Sequence, residues 1–255
     1  MCGRYSLTTP VEGLRQLFDF PERLNLEPRY NIAPTQSVAA VRHAPPVAEK
    51  SDEPPPGGGQ QLVLLRWGLI PHWAKDISIG SRMINARAET LAEKPSFRSA
   101  FHKRRCLILA DGFYEWQKQD KGPKQPYRIA RRDGGPFAFA GLWERWRDAA
   151  AGSLIESCTI VTTNASTLLR PIHDRMPVIL PPPTFDAWLD SETKSEVALG
   201  LLRPYDGDDL MAYPISTRVN SVANDDAAII TPLDDAAEEG VSGEVTANGR
   251  QPRLL

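Results

Sequence analysis

The stretch RCLILADGFYEWQ, residues 105–117, decides how the chain is read. It divides into two short strands, RCLILA and GFYEWQ, with a charged break and a glycine at Asp111-Gly112. Three more runs of the same kind follow: PYRIARR (126–132), PFAFAGLW (136–143) and SCTIVTT (157–163). Glycine, proline and charged turns separate them, the punctuation of a meandering sheet or barrel. Upstream, SVAAVRH (37–43) and QLVLLRW (61–67) read as strands. The stretch between them, 44–60, carries PP, PPP and GGG and reads as a long hairpin loop on the surface.

Helices are few. Residues 8–20 are expected to form one: Thr9 caps it, Pro10 takes the first helical position, Glu12 the capping-box position, and Leu14, Leu17 and Phe18 make an apolar stripe. Residues 94–104 suggest a basic helix carrying Phe97 and Phe101, Asn164–Arg170 a short helix, and 184–203 one or two helices. The expected fold class is therefore α+β, a single domain around an antiparallel β-barrel-like core with peripheral helices. The domain is expected over residues 2–222, followed by an acidic, disordered tail over 223–255.

Composition bounds the function. The chain has 255 residues, 41% of them hydrophobic, enough for a packed core. It has no apolar run long enough for a transmembrane helix and no signal-peptide pattern, so a cytoplasmic location is expected. The three cysteines, Cys2, Cys106 and Cys158, lack metal-ligand spacing, and the four histidines are scattered, which argues against a metal site. The net charge is −2, but seven acids and two arginines lie from Ala223 onward, leaving 28 basic and 25 acidic side chains in the body. A mildly basic body permits a nucleic-acid partner without requiring one.

Four segments put reactive or polar groups among rigid or bulky neighbours: MCGRY, INARAE, GFYEW and PIHDRMP. Cys2 follows the start methionine, and a small second residue favours methionine removal. A freed Cys2 would carry an α-amine, of pKa about 7.7–8.0, and a thiol on adjacent carbons. A neutral amine attacks an aldehyde to give an imine, and the thiol can close it to a thiazolidine. A small second residue also occurs by chance. On a strand, Glu115 shares a face with Phe113 and opposes Tyr114 and Trp116. It is either an exposed edge residue or a desolvated carboxyl fit for acid–base work. His173, between Pro171 and Pro177, is either satisfied by Asp174 in a structural turn or preorganised to shuttle protons. If MINARAE is extended, Asn85 and Arg87 point the same way, one suited to hydrogen bonding and the other to phosphate. Arg4 and Arg175 are further phosphate candidates. Trp67 and Trp73 are more often core, although a tryptophan on a proline-stiffened loop can stack on a base.

Taken together, MCGRY, RYNIAPTQ, WGLIPHWAKD, INARAET, DGFYEW and IHDRMP resemble the SRAP family, the SOS response-associated peptidase or abasic-site processing proteins. The resemblance spans roughly residues 2–220, in one order. It implies a compact α+β domain around a barrel-like core and a covalent sensor of abasic sites in single-stranded DNA. The nucleophile would be Cys2, with catalytic partners Asn85, Glu115 and His173. DNA contacts would fall on Arg4, Arg87 and Arg175, with Trp73 as a candidate stacking residue. No metal or organic cofactor is implied. The expected partner is single-stranded DNA containing abasic sites, the expected state a monomer, and the expected location the cytoplasm, at the nucleoid when DNA-bound. Two other readings stand beside it: a thiol (auto)peptidase using Cys2 and His173, and a plain single-strand binding module.

Overall fold

The computed structural model describes residues 2–43, 59–148 and 152–233. Within them lie thirteen strands: β1 (Tyr5–Leu7), β2 (Arg29–Ile32), β3 (Ser37–His43), β4 (Gln60–Trp67), β5 (Asn85–Arg87), β6 (Arg105–Ala110), β7 (Gly112–Gln117), β8 (Gln125–Arg131), β9 (Phe137–Arg147), β10 (Leu154–Asn164), β11 (Arg175–Pro177), β12 (Ile179–Leu180) and β13 (Leu210–Pro214). Four short helices accompany them: α1 (Val11–Phe18), α2 (Arg98–Lys103), α3 (Phe185–Leu189) and α4 (Ser195–Gly200).

Five strands close a barrel in the order β10-β4-β3-β6-β9, with β9 pairing back onto β10. Register pairs include Val38 with Leu65, Ala40 with Ile108, Ile108 with Phe139, and Trp143 with Cys158. The α+β, barrel-centred fold class is as expected, with one difference. The β4–β10 pair is parallel, as is the side pairing of β5 on β10. A second sheet, β13-β8-β7-β1-β2, lies beside the barrel. The chain passes from barrel to second sheet inside the opening stretch: β6 belongs to the barrel, β7 to the sheet, and Asp111 stands between them.

Aromatic side chains join the two layers. The Tyr5 ring lies 5.3 Å from Trp67 and 5.7 Å from Phe139, and Phe113 meets Phe139 edge-on at 5.9 Å. Edge-to-face contacts of this kind add to the burial of large apolar surface. The barrel admits no extra bulk at Gly141, where a Cβ would stand 2.8 Å from Cys106 Sγ and Ile108 Cγ1. Alternation along β7 is as expected. Phe113 enters the main core, whereas Tyr114 and Trp116 face a smaller cluster with Ile215, Val219 and Ile229.

Several buried cations brace the frame. The Arg42 guanidinium lies 4.0 Å over the Trp143 ring and pairs with Glu156 at 3.0 Å. Arg105 donates to Phe101 O and Trp188 O, carbonyls of α2 and α3. It thereby satisfies acceptors that short helices leave open.

Three local expectations are corrected. Pro10, not Thr9, holds the cap position of α1, and no side chain caps it. The Thr9 hydroxyl bonds instead to Asp111, a stronger, charged acceptor. Residues 165–173 form successive turns rather than a helix: Arg170 N–H bonds to Ser166 O, and His173 N–H to Leu169 O. The expectation of disorder from residue 223 is corrected over residues 223–233, which are placed and pack against the domain. Ile229 is fully buried, and Asp225 accepts from Arg29 Nε at 2.6 Å and from Asn31 N–H at 2.9 Å. The rest of the expected tail, 234–255, and residues 44–58 of the expected hairpin loop lie outside the described residues.

Candidate active site at the N-terminal strand

The site begins with what holds β1 in place. Asp111, almost fully buried, accepts from Ser6 Oγ at 2.7 Å, Thr8 Oγ1 at 2.8 Å and the Thr9 N–H at 3.0 Å, and from the Thr8 N–H. Arg128 stands 3.6 Å from the same carboxylate and balances its charge. With β1 pinned, Tyr114 N–H donates to Arg4 O at 3.0 Å. The chain running back from Tyr5 is thereby laid alongside β7, and Cys2 is carried into the core, 0% exposed.

Asn85 reaches Cys2 from the barrel. Trp67 Nε1 donates to Ile84 O at 2.9 Å, so that tryptophan is a core residue that positions the next one along. Asn85 then pairs in β5 with Ile160 of β10 and donates from Nδ2 to Cys2 O at 2.8 Å. Its Oδ1 is buried and has no hydrogen-bond partner among the described residues. That leaves an acceptor for an incoming N–H or O–H.

Glu115 is 2% exposed, on the Phe113 side of β7. Burial pushes its carboxyl up to about 7; the charge of Asp174 adds to the rise and Lys124 opposes it. Burial, then the Glu115 charge, pushes the Cys2 thiol well above its ordinary range. His173 Nε2 lies 4.0 Å from Glu115 Oε2. Its Nδ1 accepts from the Arg175 N–H at 2.9 Å and faces Asp174 Oδ1 at 2.9 Å. Burial lowers the imidazole pKa, so the neutral ring prevails.

The arginines differ in how they are held. Arg4 donates to Asn31 Oδ1 and Val219 O at 2.8 Å and to Asn220 O at 3.2 Å, all neutral acceptors. Its positive charge is oriented but not cancelled. Arg87 is exposed at the end of β5. Arg175, by contrast, is 8% exposed and engaged on both fork nitrogens by the Glu89 carboxylate, at 2.6 and 2.9 Å. Arg175 therefore meets solvent already paired with a carboxylate. Trp73 is 51% exposed, as a stacking residue must be. Its loop is anchored at Ala74 O by Trp146 Nε1, at 2.7 Å. Trp146 pairs with Ile155. That register lies about 16 Å along β10 from Ile160 and therefore from Asn85.

Cys2, Asn85, Glu115 and His173 thus come together from four separate segments, with Arg4, Arg87 and Arg175 each two residues from a member of the cluster. Sequence reasoning assigned no role to Asp111, Asn31, Asp225 or Glu89. Asn31 and Glu89 sit inside RYNIAPTQ and INARAET, so the signal was present; what each residue touches was not.

A barrel with a cysteine, an amide, a carboxyl and an imidazole gathered at the start of its chain defines a class of protein. The chain matches the family model of the SOS response associated peptidase (SRAP) over residues 1–222, and it belongs to that family. Abasic site processing protein YoqW of Bacillus subtilis (strain 168) is 42% identical over 234 residues, covering 90% of this chain and 99% of that protein. Abasic site processing protein HMCES of Gallus gallus is 30% identical over 291 residues, covering 100% of this chain and 83% of that protein. Among solved structures, a crystal structure of a Bacteroides thetaiotaomicron protein matches with a TM-score of 0.78 at 26% identity, covering 91% of this chain and 100% of that one. No helix among the described residues is long and apolar enough to cross a membrane.

Proposed function

We propose that this chain is a covalent sensor of abasic sites in single-stranded DNA, acting through Cys2 after loss of Met1. The observation that carries the reading is the gathering of Asn85, Glu115 and His173 around Cys2. Relatives named abasic site processing proteins support the choice of substrate.

In this mechanism Arg4, Arg87 and Arg175 draw in the DNA backbone through its phosphates. A nucleotide without a base can enter where a normal one is too large. Glu115, titrating near neutral pH, assists opening of the sugar to its aldehyde. The Cys2 amine attacks C1′, and the resulting carbinolamine loses its hydroxyl as water, with a proton from Glu115. His173, with Nε2 on the side of Glu115, orders the freed sugar hydroxyl. The thiol then adds to the C=N carbon, and its proton ends on the ring nitrogen. One water is lost overall and nothing is oxidised. Asn85 fixes the Cys2 carbonyl and offers Oδ1 to the amine. An open imine can also lose a strand by β-elimination, so ring closure protects the DNA.

The thiol (auto)peptidase reading has less support. A peptidase thiol must ionise readily, whereas burial and Glu115 both hold the Cys2 thiol protonated. Addition to an imine places a weaker demand on the thiol, because the ring closes within one molecule.

Cys2→Ala is expected to abolish a heat-stable adduct with abasic single-stranded DNA, and one extra residue ahead of Cys2 should do the same. A peptidase needing only the thiol would tolerate that extra residue. A heat-stable adduct from Cys2→Ala would overturn the mechanism.

A further inference from the structure

We propose that the Glu89 carboxylate occupies, on Arg175, the place a backbone phosphate of single-stranded DNA takes on binding, so that Glu89 sets the strength and salt dependence of DNA binding. The inference rests on the reading of Arg175 as a phosphate ligand given above.

The geometry is that of a substitute ligand. Glu89 Oε1 and Oε2 accept from Nη1 and Nη2 of Arg175 at 2.6 and 2.9 Å. This two-point grip is equally suited to a carboxylate and a phosphate. The guanidinium itself is fixed from the protein side, by Thr162 O at 2.7 Å and Asn164 Oδ1 at 3.0 Å. The carboxylate that closes it is 45% exposed, on the short turn 88–90 just after β5. The fixed partner is buried and the exchangeable one meets solvent. The Nε of Arg175 has no acceptor among the described residues, so Glu89 does not saturate the group.

Arg4 makes the contrast. It is held by a side-chain amide and two backbone carbonyls, which orient a cation without neutralising it. Arg175 is oriented and neutralised. Glu89 also lies within electrostatic reach of Arg87, the third phosphate candidate. A single carboxylate therefore offsets positive charge on one side of the cluster, and an entering phosphate must displace it. Bare strand then binds weakly, and full engagement is kept for DNA whose backbone can follow the turn into the site.

The test is non-covalent binding of an unmodified single-stranded oligonucleotide, free of abasic sites, followed by fluorescence anisotropy across a salt series. Glu89→Gln keeps the shape and removes the charge. It is expected to raise affinity about tenfold at low salt and to steepen the log–log salt slope by about 0.7, the increment for one more phosphate contact on a single strand. Unchanged or weaker binding by a variant that melts like wild type would overturn the proposal and leave Glu89 as a clasp between β5 and the His173 turn. A double-mutant cycle with Arg175→Gln covers partial misfolding. Loss of Arg175 should cost more in the Glu89→Gln background than in wild type, and an equal cost would overturn the proposal. The phosphate reading fails separately: Arg4→Gln and Arg175→Gln would both leave wild-type affinity intact.

Discussion

At the scale of single residues, Glu115 carries the largest electrostatic consequence. The folded protein keeps its proton up to about pH 7, while an ordinary glutamate releases it near 4.5. Between those values the folded state binds more protons, so the contribution of Glu115 to stability falls as pH rises through that window. Above it, the buried carboxylate costs on the order of 3 kcal/mol. Glu115→Gln should therefore stabilise the protein at pH 8 by about 1–3 kcal/mol in chemical denaturation, with little gain at pH 4. The same change should slow cross-linking by about 100-fold and remove the fall in rate expected of wild type as pH rises above 7. A variant that is no more stable at pH 8 would mean the carboxyl is not desolvated in solution. Glu115 could be read as a strand residue on the same face as Phe113, but its exposure could not be read. An edge strand and a covered one share the alternation of GFYEWQ, and only packing of β7 between β1 and β8 decides between them.

At the scale of elements, two carboxylates fix the strands that deliver the site. Asp111 ties down residues 6–9, and its replacement by alanine strands five donors and the Arg128 charge. Asp111→Ala should cost about 3–5 kcal/mol, measured by urea denaturation, and should slow cross-linking further by loosening β1. Asp225 does the same for β2, whose Asn31 holds Arg4. A chain ended after Val222 should melt below one ended after Leu233, because only the longer one keeps Asp225 and Ile229. Equal melting temperatures would contradict the packed extension. Sequence reading stopped the domain at 222 because composition turns acidic and alanine-rich there. Composition cannot register that one of those acids meets the backbone N–H groups of a distant strand. The turn at 165–173 was misread for a related reason. Residues Asn164–Arg170 have helix-compatible spacing, but the chain must reverse there for β11 to pair with β10.

At the scale of the whole molecule, the barrel depends on close approach of β6 and β9. Gly141→Ala would drive a methyl group into Cys106 and Ile108, and should lower stability by about 2–4 kcal/mol in thermal or denaturant unfolding. A neutral outcome would mean the ring is looser than the contacts indicate. Seven strands, β3, β4 and β6 to β10, were legible, since each is a run of apolar and β-prone residues between breaks, whereas the short strands β1, β2, β11, β12 and β13 were not. The parallel β4–β10 and β5–β10 pairings were not legible either, because pattern specifies a strand and not its neighbour. The cluster was legible as four segments of unusual composition. Their convergence needed the ring and second sheet to bring the chain start, β5, β7 and the His173 turn to one place.

Intact-protein mass spectrometry, before and after incubation with a single-stranded oligonucleotide carrying one abasic site, tests the central claim most directly. The account predicts loss of Met1 and then a heat-stable species with the mass of protein plus oligonucleotide minus one water. A trimmed protein that leaves the oligonucleotide unlinked would contradict it.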